Sequence, residues 1–299
     1  MTAAIEISGL RKSYGDHEAV RGIDLAVAHG EVFAFLGPNG AGKTTTVEIL
    51  EGYRERSGGS VTVLGVDPTK GDREWRSRIG VVLQESEPDP FLTVSETMRL
   101  FAGYYPAPRT VQETIDHVGL APQAGQRVRS LSGGQRRRLD VGLALIGDPD
   151  LIFLDEPTTG FDPSARRNAW ALISGLRDLG KTVFLTTHYM DEAQAVADRV
   201  AIISAGEILA EGPPGELGGR AEAPSTIRFE LPPGVADVEL PAVGAARSRA
   251  GRALLVQSID PIRDLNTLTG WALERGHDLR GLTVERPSLE DVYLELTGE

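Results

Sequence analysis

The chain has 299 residues, 40% hydrophobic and 25% charged, which is ordinary for a globular protein and enough for one large domain or a large and a small one. Its formal net charge of −12 argues against a general nucleic-acid binder, which carries basic surface. With no cysteine it has no disulfide, thiolate chemistry or cysteine-rich metal site.

The first residues show no basic start before an apolar run, so no secretory signal is expected. No stretch approaches the roughly 20 apolar residues that span a bilayer, so any membrane role is expected to be peripheral. Along the first 212 residues short apolar runs alternate with helical patterns, which predicts an α/β domain. Strands are expected at 5–10 and 22–27, with an antiparallel pairing open to them, then at 31–36, 61–64, 79–83, 151–154, 182–186 and 200–204. Helices are expected at 45–53, 95–104, 111–118 and 134–146, the last three forming a helical insertion over about 88–150. A Pro/Gly cluster around 213–225 reads as a linker. The expected division is 1–215, a linker at 216–226, and a small α+β module at 227–299. In that module strands are expected at 227–231, 253–258 and 279–285, and a helix at 262–275. Ser288 with Asp291 signals a capping box that opens a last helix.

Three motifs carry chemistry. Gly37-Pro38-Asn39-Gly40-Ala41-Gly42-Lys43-Thr44-Thr45 is a phosphate-binding loop between a buried strand and a helix. Its backbone N–H groups can cradle nucleotide phosphates, Lys43 can reach the β- and γ-phosphates, and the Thr44 hydroxyl can hold Mg²⁺. The following helix adds its positive end. Leu151 to Leu154 ends in Asp155-Glu156-Pro157, an apolar strand running into two carboxylates. Asp155 suits Mg²⁺, and Glu156 suits a general base acting on the attacking water. Leu131-Ser132-Gly133-Gly134-Gln135 opens a helix and makes a second anion site.

With that second site the chain resembles the ATP-binding cassette (ABC) ATPases, whose signature motif it matches. The resemblance implies a P-loop ATPase fold: a parallel-sheet core, an antiparallel β subdomain and a helical subdomain. It implies ATP and Mg²⁺ as ligands. It also implies a head-to-tail pair in which the phosphate loop of one domain and Ser132 to Gln135 of the other enclose ATP. By the same resemblance Tyr14 stacks on adenine, Gln84 senses Mg²⁺ and the attacking water, and His188 contacts the γ-phosphate. Asp162 lies in the loop that crosses between subunits, where Phe161 replaces the usual leucine, so a packing adjustment is expected there. Arg136-Arg137-Arg138 reads as a solvated face of the signature helix, and no nucleic-acid role is expected of it.

Thr187 to Ala193 and the closing Leu289 to Gly298 resemble drug-resistance and multidrug-export ATPase subunits, including the daunorubicin/doxorubicin resistance type. That resemblance implies drug export through a separate multi-spanning membrane subunit, with this chain a peripheral protein at the cytoplasmic face of the cell membrane, paired with a second nucleotide-binding domain that is expected to be an identical copy. The alternative is a soluble, non-transporting ABC ATPase, such as the iron–sulfur assembly type.

Overall fold

The computed structural model describes residues 3–83, 86–220, 223–231 and 235–297, with the backbone alone at 238 and 297. The chain divides into two compact units, Met1–Pro214 and Gly215–Glu299.

The first unit is built on two sheets. Strands β1 (Ala3–Tyr14), β2 (His17–Ala28) and β4 (Gly58–Val63) form an antiparallel sheet in the order β2-β1-β4. Strands β3 (Val32–Leu36), β5 (Ile79–Val82), β6 (Leu151–Asp155), β7 (Thr182–Thr187), β8 (Arg199–Ser204) and β9 (Glu207–Gly212) form the second. Its order is β5-β6-β7-β3-β8-β9, parallel except for β9. β3 and β7 are buried along their whole length, as near-continuous apolar runs require of a sheet covered on both faces. Phe184 of β7 lies at the middle of the core, with Phe33, Phe35 and Phe153 rings 5.6, 5.7 and 5.8 Å from its own.

The helices of this unit are α1 (Lys43–Leu50), α2 (Arg73–Ser77), α3 (Val94–Ala102), α4 (Val111–His117), α5 (Gly133–Leu145), α6 (Pro163–Asp178) and α7 (Met190–Val196). α3 and α5 open on full capping boxes, Thr93 with Glu96 and Ser132 with Gln135. In the sheet order β6, β7 and β3 are neighbours. Their register pairs Asp155 with Thr186 and Leu36 with Thr187. The segments that leave their carboxyl ends therefore start side by side, which is where ligands bind in open α/β sheets.

In the second unit β10 (Ser225–Glu230), β11 (Ala246–Ala250), β12 (Ala253–Ser258) and β13 (Thr283–Glu285) form an antiparallel sheet in the order β11-β12-β10-β13. Helices α8 (Pro261–Arg275) and α9 (Leu289–Thr297) complete it. Ile227, Phe229, Leu254, Val256 and Leu268 form its core. Ser288 accepts from the Asp291 N–H at 3.1 Å while its own N–H donates to the Asp291 carboxylate, so the expected box is present.

Two boundaries differ from expectation. The stretch read as a linker at 216–226 contains a turn at Leu217–Gly219 whose Leu217 is buried, and β10 already begins at Ser225. The strand expected over 279–285 is shortened to Thr283–Glu285, since only that part pairs with β10.

Candidate nucleotide-hydrolysis site

The loop between β3 and α1 needs glycine for space as well as shape. A Cβ on Gly37 would lie 2.3 Å from the Ile203 carbonyl oxygen, and one on Gly42 2.6 Å from that of Ala19. Gly42 also caps α1 at φ 104°, a left-handed conformation that side chains resist. Lys43, in the first turn of α1, folds back so that its Nζ donates to the carbonyls of Gly37 (2.8 Å) and Pro38 (3.1 Å). Its side chain is only 4% exposed. Thr44 beside it is exposed and Thr45 half-buried.

Glu156 leaves the end of β6 and reaches this lysine. Its Oε1 is 3.4 Å from Lys43 Nζ and 3.3 Å from His188 Nδ1, which follows the end of β7. The imidazole contact is close but lacks hydrogen-bond alignment. The Thr159 hydroxyl donates to Oε2 at 3.1 Å. Burial pushes the Glu156 carboxyl upward, but Lys43, His188 and Thr159 outweigh it and hold the group below the usual carboxylate range. It is therefore ionised at neutral pH. Asp155, half-buried, accepts from the Thr186 hydroxyl, and the same Thr186 oxygen accepts from the Glu156 N–H at 3.0 Å.

Lys43, Glu156 and His188 thus meet, from three neighbouring strand ends. Tyr14, at the end of β1, is 41% exposed, with Lys12 Nζ and the Arg54 guanidinium 5.1 and 5.2 Å from its ring centre. Gln84 lies outside the described residues.

Ser132 to Gln135 lie elsewhere. They line a cavity of about 640 Å³ between α5 and α6, together with Asp162, and Lys43 and His188 are not among its lining residues. A Cβ added at Gly133 or Gly134 would meet no atom within 4 Å. The Asp162 carboxylate caps α6, accepting from the N–H groups of Ser164 (2.8 Å) and Ala165 (2.9 Å).

One reading needs correcting. Arg137 is not on a solvated face: it is 8% exposed and all three of its guanidinium nitrogens donate to backbone carbonyls. Its neighbour Arg136 is exposed as expected. Sequence also passed over Thr186, whose hydroxyl links Asp155 to the Glu156 backbone. A buried threonine in an apolar strand was the one available signal, because a buried hydroxyl needs partners.

A phosphate loop after β3, with a lysine, a carboxylate and an imidazole gathered at adjacent strand ends, defines a P-loop nucleoside-triphosphate hydrolase. Comparison with known proteins narrows this. The family described as ABC transporter matches residues 20–159, and the one described as ABC transporter domain-containing protein-like, C-terminal domain, matches residues 225–288. The chain is 38% identical to the Nod factor export ATP-binding protein I of Cupriavidus metallidurans, covering 100% of this chain and 98% of that one. It is equally 38% identical to the daunorubicin/doxorubicin resistance ATP-binding protein of Streptomyces peucetius, covering 99% and 93%.

Among solved structures, cbiO1 from Clostridium perfringens, part of an ABC transporter complex, matches with TM-score 0.67 and 26% identity over 72% of this chain and 90% of that one. An ATP-binding cassette in a dimeric post-hydrolysis state with ADP and Pi matches with TM-score 0.62 and 25% identity over 70% and 98%. The chain belongs to the ATP-binding subunits of ABC transporters, and it is an ATPase. No helix among the described residues is long and apolar enough to cross a membrane.

Proposed function

We propose that this chain hydrolyses Mg-ATP to drive export of a small, drug-like molecule through a separate multi-spanning membrane subunit, docked at the cytoplasmic face of the cell membrane and paired with a second nucleotide-binding domain. The observation that carries hydrolysis is the meeting of Lys43, Glu156 and His188 at the ends of β3, β6 and β7. Export is supported by the names of relatives that match along nearly their whole length.

The residues present fit a nucleotide polyphosphate. The loop from Gly37 to Thr45 leaves no room for Cβ atoms at its two tightest glycines, and its lysine donates to the Gly37 and Pro38 carbonyls. Lys43 shares its charge between those carbonyls and Glu156, and phosphate oxygens would draw it away from the carboxylate. Glu156, ionised and released, takes a proton from the attacking water. His188 Nδ1 lies 3.3 Å from the same carboxylate, Thr159 holds that carboxylate, and Thr186 holds the Glu156 backbone N–H. Thr44, Asp155 and Gln84 would hold Mg²⁺, which would supply charge neutralisation and Lewis acidity at the phosphates. Tyr14 offers an exposed ring for the base. Ser132, Gly133, Gly134 and Gln135 open α5 in a cavity apart from Lys43, which supports a pair in which each chain supplies its signature to the other's nucleotide.

The transport reading is tested by purifying tagged Glu156→Gln chain, loaded with Mg-ATP, from detergent-solubilised membranes of its own host. Recovery of a stoichiometric multi-spanning protein is the expected result. Recovery of a soluble complex alone would replace this reading with a non-transporting ABC ATPase.

A further inference from the structure

Arg137 makes three hydrogen bonds, each to a backbone carbonyl at a different point around the hydrolysis site. Its Nη1 donates to Leu83 O (2.5 Å), its Nη2 to Asp155 O (3.1 Å) and its Nε to Pro157 O (3.2 Å). Burying a guanidinium costs desolvation, and an apolar residue would fill the same space without it. Burial indeed lowers the Arg137 pKa, against the opposing pull of the Asp140, Asp155 and Glu192 carboxylates. The charge calls for an explanation beyond packing.

The acceptors supply it. Asp155 O and Pro157 O stand on either side of Glu156, and Glu156 has φ 43°. A left-handed conformation at a non-glycine residue costs on the order of 1–3 kcal/mol and persists where the surroundings over-determine it. Here the Thr186 hydroxyl fixes the Glu156 N–H, and one rigid guanidinium fixes the carbonyls before and after. The planar fork suits the task, because its donors keep a fixed geometry relative to one another. The third bond reaches Leu83, the residue before Gln84. Arg137 itself sits in the first turns of α5, directly behind Ser132 to Gln135.

We infer that Arg137 is a positioning residue for ATP hydrolysis, holding the strained backbone on both sides of Glu156 and tying it to the signature helix. A shift of α5 is then carried to the carboxylate that activates water. The inference rests on Glu156 being that base.

The test compares Arg137→Gln, Arg137→Lys and the exposed control Arg136→Gln in the full chain. Mg-ATP affinity, kcat, KM and Tm are measured for each, and Arg137→Gln is repeated in a Glu156→Gln background. Arg137→Gln is expected to lower kcat by about a hundredfold with ATP affinity within about threefold of the parent. Arg137→Lys, with a charge but no fork, should fall between the two, and Arg136→Gln should match the parent. In the Glu156→Gln background removing Arg137 should cost less than about twofold more, because the two residues act as a unit. If Arg137→Gln does not fold, Arg137→Lys carries the same comparison in both backgrounds. Parent-like kcat in Arg137→Gln, or an equal further loss in the Glu156→Gln background, would overturn the inference. Should Glu156→Gln itself turn over like the parent, the assignment of the base fails and not merely the role of Arg137.

Discussion

At the scale of single residues the site is a problem of placing charge where water is scarce. Glu156 stays ionised because Lys43 faces it within 3.4 Å. Glu51, at the end of α1, has no such help: burial, with Asp155 and Glu48 adding like charge, pushes its carboxyl up to about 8. The fold therefore keeps a proton on Glu51 that the unfolded chain, at about 4.5, has released. The folded state binds the extra proton between those values, so stability falls as pH rises through that window. Glu51→Gln is expected to raise the Tm of the nucleotide-free chain at pH 8 and to change it little at pH 4.5, checked by thermal melts at both. Lys43→Ala should weaken Mg-ATP binding by tenfold or more, since it removes the cation from the phosphate loop, and a nucleotide titration reads it directly.

At the scale of elements, adjacency of β6, β7 and β3 assembles the site from segments far apart in sequence. Phe184 ties the three strands together, and Phe184→Ala should cost about 3–5 kcal/mol, measured by denaturant unfolding. Gly42→Ala is expected to cost ATP affinity as well as stability, because its Cβ would meet the Ala19 carbonyl at a left-handed φ. Wild-type affinity in that variant would contradict the fit described for the loop.

Much of this scale was legible in the residues. Fully buried strands announce themselves as apolar runs, and β3, β6, β7 and β8 lie within a residue or two of expectation. β9 and β11 carry no such signal: β9 has no buried residue and β11 is exposed throughout, so hydrogen bonding to a neighbour, not burial, makes them strands. The motifs at Lys43 and Glu156 are legible because each follows an apolar strand, whereas His188 joins them in the sequence only through the family resemblance. The buried Arg137 did not stand out, because three consecutive arginines look like a solvated face until the acceptor carbonyls of Leu83, Asp155 and Pro157 are in view.

At the scale of the whole molecule, every residue assigned to ATP chemistry falls in Met1–Pro214, and none in Gly215–Glu299. We propose that the second unit serves pairing or docking on the membrane subunit. A chain ended at residue 214 is expected to bind Mg-ATP with affinity within about threefold of the full chain but to lose pairing or membrane association. Unchanged pairing, membrane association and export would remove that role.

The central claim is that Glu156 is the base that activates water, and the most direct measurement is steady-state phosphate release by Glu156→Gln beside its Mg-ATP affinity. The account predicts retained binding and a loss of turnover of at least a hundredfold, because the substitution removes the base without removing a phosphate contact. Turnover close to that of the parent, at equal ATP affinity, would contradict it.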